Sequence, residues 1–325
     1  MIMVDYDKIS EVANYLVKSK IIRGLSSNID TFTNPEYYPS KNDLPEKVAQ
    51  YFITMVAIDH RTSYKGKPYE TILHGKLYHG ADLLYRLGKI MYVNNPDFFD
   101  PKNLVKISVN DVRKWLNTND AKIWDLNVRV MLLRDLGRKL VKLYDGSVMN
   151  LIRESKNMLK NIEGGFIDRL KVFRAYEDPV EKKPYLLVKF LERRGIFIPI
   201  DKENLQVPVD NHLVRIAFRL GIVKLSKDII QRISYGKEFS WEEDVIIRLT
   251  VRKAYKILSE KANISPLILD DVLWNLGRTC CIKPLPRCLN WKETIPCPFY
   301  RVCEAFKGNI ERSLSEHLFI NTWYY

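Results

Sequence analysis

Several absences narrow the possibilities before any motif is considered. No unbroken apolar run approaches the roughly 18 residues that a membrane-spanning helix needs, so no membrane span is expected. With 14 glycines and 15 prolines among 325 residues, the chain has too few breakers for a collagen-like or low-complexity protein. The first residues, MIMVDYDKISEVANYL, carry acids inside a helical pattern and lack a basic start, an apolar core and a small-residue cleavage site, so a cytoplasmic location is expected. Cysteine is scarce, and all five occurrences fall between positions 280 and 303. In an intracellular chain that grouping fits a metal site better than a disulfide framework. Acidic residues are outnumbered, 39 against 52 Lys and Arg, for a net charge of +13. Such an excess suits a polyanionic partner, nucleic acid first, although a basic excess spread over solvated helix faces would have the same composition.

What is present is mostly helical. Hydrophobic residues make up 46% of the chain, enough for a large core. In KIWDLNVRVMLLRDLGRKLVKLYDG, Leu126, Val130, Leu133, Leu136, Leu140 and Leu143 recur at three- and four-residue steps before Gly146. The same periodicity predicts helices near 5–20, 44–58, 74–93, 109–118, 124–145, 147–157, 182–194, 211–221, 226–234 and 241–260, which is an all-α protein. Ser240-Trp241-Glu242-Glu243 has capping-box spacing at the start of the last of these. Loops are expected at 27–43, 94–103 and 196–209, and GIFIPIDKENLQVP within the last is predicted to be irregular or extended. The chain divides into an N-terminal helical region over 1–180 with a candidate base pocket, a degenerate hairpin and aspartate helix over 181–235 and a C-terminal helix with the cysteine loop over 236–325, packed as one unit, and a monomer is expected.

The segment LWNLGRTCCIKPLPRCLNWKETIPCPFYRVC spaces Cys281, Cys288, Cys297 and Cys303 as Cys-x6-Cys-x8-Cys-x5-Cys, with Cys280 adjacent. Four thiolates can hold a 4Fe–4S cluster or zinc; the lack of Cys-x2-Cys knuckles favours the cluster. Prolines at 284, 286, 296 and 298 restrict the loop and lower the entropy lost when the sulfurs converge. The loop resembles the iron–sulfur loop of endonuclease III and MutY-type DNA glycosylases, members of the helix-hairpin-helix superfamily, in its outer spacings and in the Gly277-Arg278 pair before the first ligand. The eight residues from Leu289 to Pro296 replace two in that family. The resemblance implies a two-lobed helical DNA-glycosylase-like fold with a C-terminal iron–sulfur loop and DNA as partner, with Arg278 and Arg215 near the phosphates.

Upstream, VPVDNHLVRIAFRLGIV resembles the same family's Val-Asp-x-His-x-x-Arg-x-x-x-Arg segment at Val209, Asp210, His212, Arg215 and Arg219. By that resemblance Asp210 is the carboxylate that supports loss of the base. The chemistry agrees, because breaking an N-glycosidic bond builds positive charge on the sugar, which a fixed carboxylate stabilises. Asp210 is equally suited to capping a helix whose apolar face holds Leu213, Ile216, Ala217 and Leu220. In the segment DPVEKKPYLLVKFLERRG, Lys183 stands most nearly in place of the family's Schiff-base lysine, but the hairpin glycines are missing. That departure argues against lyase chemistry, and Lys182 and Lys183 read as a solvated or phosphate-facing pair.

A second resemblance, to the queuosine-salvage nucleotide glycosylases, runs from Leu126 through Arg129 and Asp145-Gly146-Ser147, through GGFIDRLKVF at 164–173 and Lys182-Lys183 to Asp210, which takes the place of the aspartate in that family's Ala-Asp-Tyr-Arg motif. It implies the same bond cleavage in a free modified nucleotide. AIDHRTSYKGKPYETILHGKLYHGADLLYRLG, residues 57–88, is dense in polar groups: Asp59, His60, Arg61, His74, His79 and Asp82. These could read a base edge, with Tyr64, Tyr69 or Tyr78 stacking on it; polar helix ends would look the same. Three functions follow in order: a DNA N-glycosylase of base excision repair, a glycosylase of free modified nucleotides, and a non-enzymatic nucleic-acid-binding protein with a cluster.

Overall fold

The computed structural model describes residues 1–19, 29–63, 66–289, 297–309 and 314–325. In chain order the elements are β1 (Ile2–Val4), α1 (Tyr6–Lys18), α2 (Pro45–Ala57), β2 (Glu70–Leu73), β3 (Lys76–His79), α3 (Ala81–Asn94), α4 (Pro101–Leu104), α5 (Val109–Leu116), α6 (Leu126–Tyr144), α7 (Val148–Glu154), α8 (Phe166–Leu170), α9 (Lys182–Arg193), α10 (Asn211–Leu220), β4 (Val223–Leu225), α11 (Lys227–Ser234), α12 (Trp241–Ala262) and α13 (Pro266–Thr279). The protein is mainly helical, as its periodicity predicts. The helix expected over 74–93 begins only at Ala81, because β2 and β3 form an antiparallel hairpin pairing Glu70 with His79 and Leu73 with Lys76. His74 and Gly75 both adopt positive φ in its turn, 51° and 79°, as two-residue hairpin turns require. His74 and His79 therefore lie on an exposed hairpin, not a helix. A helix not anticipated, α13, leads into the cysteines; Ser265 caps it and Pro266 occupies its first turn.

The chain forms two compact units. One comprises Met1–Ile29 with Leu205–Thr322, the other Asp30–Asn204 with Trp323–Tyr325. In the first, β1 pairs antiparallel with β4, Val4 opposite Val223, and thereby brings α1 onto α12. Its core joins Val12 and Leu16 of α1, Leu213 and Ala217 of α10, Val251 and Leu258 of α12 and Leu273 of α13. Ser240 caps α12 reciprocally with Glu243: the serine hydroxyl accepts from the Glu243 amide at 3.3 Å and the carboxylate accepts from the Ser240 amide at 2.8 Å. In the second unit α2 packs on α9, with Phe52 and Phe190 stacked at 4.8 Å. Glu46, in the first turn of α2, accepts from the Val148 and Met149 amides at 2.9 and 3.0 Å and so caps α7. The 196–209 stretch is irregular, pinned where Asp201 accepts from the Leu159 and Lys160 amides at 2.7 and 3.1 Å.

Candidate functional site

Helix α2 ends at Ala57, and the chain turns through Ile58, Asp59, His60 and Arg61 before leaving. A helix C-terminus carries unsatisfied carbonyls and the negative end of the macrodipole. Here five successive carbonyls each meet a cationic side chain. The Lys183 ammonium donates to Ala57 O at 2.7 Å, and the Lys182 ammonium donates to Asp59 O at 3.3 Å. Arg129 of α6 serves the other three: it donates to Ile58 O, to His60 O at 3.4 Å and to Arg61 O at 2.7 Å, while its Nε donates to Trp124 O at 2.9 Å. The sequence placed Lys182 and Lys183 as a solvated or phosphate-facing pair. The structure corrects that reading: Lys183 is 0% exposed and Lys182 is buried, both consumed in capping α2.

This arrangement sets the protonation of the site. Burial, with Arg129, Lys183 and Lys182 nearby, holds the His60 imidazole well below its usual range, so it is neutral. Lys183 Nζ lies 3.5 Å from His60 Nδ1; while protonated it can only donate, which makes Nδ1 the acceptor and leaves the imidazole proton on Nε2. That Nε2 is buried without a hydrogen-bond partner, 4.0 Å from an Asp125 carboxylate oxygen. Burial raises the Asp125 carboxyl against the pull of Arg129 and Arg61. Burial, reinforced by Lys182, also drives Lys183 well below the ordinary lysine value. Asp59 sits 3.7 Å from the Lys182 ammonium and 3.5 Å from the Tyr85 hydroxyl. The Asp59 and Asp125 side chains keep 16% and 17% exposure. The partly exposed Asp125 carboxylate thus stands beside the buried imidazole, while the partly exposed Asp59 carboxylate sits on the Lys182 and Tyr85 side of the same turn.

The remaining candidates of this unit lie apart from the turn's carbonyls. The Tyr78 hydroxyl donates to Glu36, with Lys76 paired to the same carboxylate. Tyr69, another expected stacking surface, is buried with its hydroxyl donating to Leu116 O. Tyr64 lies outside the described residues. Arg61 stacks over Trp124, its guanidinium carbon 5.5 Å from the ring centre. Asp125, which the sequence did not single out, enters the site through its left-handed backbone at the head of α6, φ 61°.

The first unit holds the other candidates. Asp210 is the N-cap of α10, Oδ1 accepting from the Leu213 amide at 3.0 Å, as its position in the sequence suggests. Arg215 and Arg219, expected near phosphate or unassigned, are buried and directed into the cysteine loop. Arg215 donates to Cys281 O at 2.8 Å, Gly277 O at 2.9 Å and Glu316 at 2.7 Å, and its second Nη approaches His212 Nδ1 at 2.9 Å. It staples the end of α13 and is not available to a nucleic-acid backbone. Burial opposes ionisation of Glu316, but Arg215 and Lys283 prevail and hold its carboxyl down at about 2. Burial lowers the His212 imidazole. Gly277 permits the close approach of α13 to α10, since a Cβ there would lie 2.8 Å from His212 Cβ. Arg278 instead covers Trp274, 4.4 Å above the ring.

All five cysteines are free thiols and buried. The Cys280 thiol lies beside those of Cys288 and Cys297. Their chemistry fits a thiophilic metal, with sulfur donors in an apolar pocket beside Phe299 and Val302. Among the described residues, however, no three His, Cys, Asp or Glu side chains are gathered in a metal-holding arrangement. The extended middle spacing, residues 290–296, lies outside the described residues. No helix among the described residues is long and apolar enough to cross a membrane.

The geometry therefore defines a helical protein with a cation-capped polar turn and a capped aspartate. The chain belongs to the queuosine salvage protein family, whose profile matches residues 37–281 and so spans both features. No curated protein matches the chain. The comparison supports the salvage resemblance of its centre rather than the endonuclease III resemblance of its cysteine loop; the match ends at Cys281, before Cys288, Cys297 and Cys303.

Proposed function

We propose that the protein is an N-glycosidase that hydrolyses the bond between base and sugar in a free queuosine nucleotide, with Asp210 as the carboxylate that meets the developing positive charge. The observation that carries this reading is the family match, which runs through Asp210. The local geometry suits the role. Leaving the base makes the sugar oxocarbenium-like, and an oriented carboxylate either stabilises it or aims the attacking water. Asp210 Oδ1 is fixed by the Leu213 amide at 3.0 Å, which holds the group in one orientation at a helix N-terminus.

Hydrolysis, not lyase chemistry, is the expected course. A Schiff base needs a lysine nitrogen free to attack a sugar carbon, whereas the Lys183 ammonium is enclosed and committed to Ala57 O at 2.7 Å. Incubation of the protein with queuosine 5′-monophosphate, queuosine and duplex DNA carrying damaged bases, followed by mass spectrometry of released base, tests the proposal. Release from the free nucleotide is expected. Release from damaged duplex alone would replace this reading with DNA repair.

A further inference from the structure

The first turn of α10 holds a second partly exposed polar side chain besides Asp210. His212 stands two residues after the N-cap, where capping makes no demand on it, since Asp210 already accepts from the Leu213 amide at 3.0 Å. Its ring is nevertheless fixed from two sides. Arg215 Nη2 donates to His212 Nδ1 at 2.9 Å and to Gly277 O at 2.9 Å, while Nε donates to Cys281 O at 2.8 Å and Nη1 to Glu316 at 2.7 Å. On the other side α13 presents Gly277, where a Cβ would lie only 3.3 Å from His212 Cγ. A guanidinium carries N–H groups and no acceptor, so Nδ1 must accept and the ring proton belongs on Nε2. Protonating Nδ1 would set two donors against each other. Burial also favours the neutral ring, with Arg215 and Lys283 acting in the same direction against Asp210 and Glu316. Nε2 has no partner among the described residues. What remains is an N–H donor of fixed tautomer on the same turn as the Asp210 carboxylate.

We propose that His212 is a further catalytic residue, whose Nε2–H donates to an acceptor atom of the departing base. The assignment rests on the reading of Asp210 as the glycosidase carboxylate. In hydrolysis the C1′–N bond breaks with its electron pair on the base, the water oxygen bonds to C1′, and the proton that water loses ends on the base nitrogen. Positive charge grows on the sugar, where Asp210 meets it. Negative charge grows on the base, where a preorganised hydrogen-bond donor stabilises it. His212 keeps its own proton throughout, because a neutral imidazole is too weak an acid to give it up; it acts as an electrophile, not as a general acid. Arg215 is the positioning residue in this scheme. It sets the tautomer and the ring orientation through Nδ1, and it is held in turn by Glu316, which Lys283 also contacts at 2.6 Å.

The test measures base release from queuosine 5′-monophosphate by wild type, His212→Ala and His212→Gln, with thermal unfolding as the check on folding. Alanine removes the donor, so kcat should fall by about 100- to 1,000-fold while KM moves by less than about threefold, as expected for a contact that strengthens in the transition state. Glutamine carries an amide N–H and should recover kcat to within about tenfold of wild type. Equal kcat for wild type and the alanine variant, or a folded glutamine variant no better than alanine, overturns the assignment. Nitrogen-15 spectra of histidine-labelled wild type give a readout that needs no turnover and no variant. Between about pH 8 and pH 6, an interval that spans the ordinary imidazole value, His212 should keep a protonated Nε2 and a bare Nδ1. A proton on Nδ1 in that interval overturns the assignment as well. The two readings fail differently: no base release by wild type refutes the glycosidase and this assignment with it, whereas release that the alanine variant matches refutes this assignment alone.

Discussion

Replacing Arg129 by methionine should unfold the second unit at markedly lower temperature and remove the shape of the 57–61 turn. Arg129 is fully buried, and burial lowers its guanidinium only to about 10, so it remains charged at neutral pH. It donates to the carbonyls of Ile58, His60, Arg61 and Trp124. A hydrogen bond to a charged group contributes about 1.5–3 kcal/mol net, and each carbonyl left buried without a donor costs about 1–3 kcal/mol. The methionine variant is relieved of a buried cation, which returns several kcal/mol and prevents a simple sum. The net loss should therefore resemble that of breaking a buried ionic contact, about 3–5 kcal/mol. For a unit of this size that corresponds to a fall in Tm of about 2–4 °C per kcal/mol, or roughly 6–20 °C in all. Differential scanning calorimetry reads the value, and loss of the tyrosine and tryptophan near-ultraviolet circular dichroism reports the turn. A change below about 1 kcal/mol with unchanged near-ultraviolet signal would refute the claim that one arginine satisfies this turn.

Two further predictions concern pH. The His60 pKa is depressed in the folded state below its ordinary 6.5, so its neutral form is favoured by folding: that stability is complete above about 6.5 and is lost as pH falls toward the folded value. Wild type should lose about 1.4 kcal/mol per pH unit more than His60→Gln over that interval, read as the difference between two urea titrations; parallel curves would contradict it. Lys183 is also a base with a lowered folded value, from 10.5, so the unfolding free energy of Lys183→Met should gain on wild type by about 1.4 kcal/mol per unit as pH falls from 10.5 toward the folded value. A pH-independent difference would mean that burial leaves the proton affinity of Lys183 unchanged. Gly165→Ala should cost several kcal/mol in thermal unfolding, since its Cβ would stand 2.5 Å from the Leu159 carbonyl carbon; a variant within 1 kcal/mol of wild type would show that the turn can shift.

What could be read from the sequence was local. The N-cap at Asp210, the capping box at Ser240 and most helix limits depend on neighbours within a turn, and they appear where the residues place them. The hairpin escaped because its strands run four residues each and bury Thr71 and Tyr78 while exposing Ile72 and Leu77, so hydrophobicity writes no alternating pattern. The polar turn was legible as a concentration of Asp59, His60 and Arg61, but not as a structure, since its cations arrive from positions 68 to 126 residues away. The same separation hid the burial of Lys182 and Lys183: a charged pair before a helix resembles a solvated one until its carbonyl partners are known. Arg215 and Arg219 were visible as a motif, whereas their engagement with Cys281 depends on α13, which sequence periodicity did not delimit. The salvage resemblance, diffuse in any one segment, proved the better guide to family because it extended across the centre of the chain.

The most direct measurement of the central claim compares wild type with Asp210→Asn on queuosine 5′-monophosphate, following base release by mass spectrometry and stability by calorimetry. Asparagine caps a helix about as well as aspartate, within a few tenths of a kcal/mol, so the Leu213 amide at 3.0 Å keeps an acceptor and the fold is retained. The carboxylate's charge is lost. The account predicts unchanged Tm with base release reduced by at least about 100-fold. Equal release by the two proteins would contradict it and leave Asp210 as a helix cap alone.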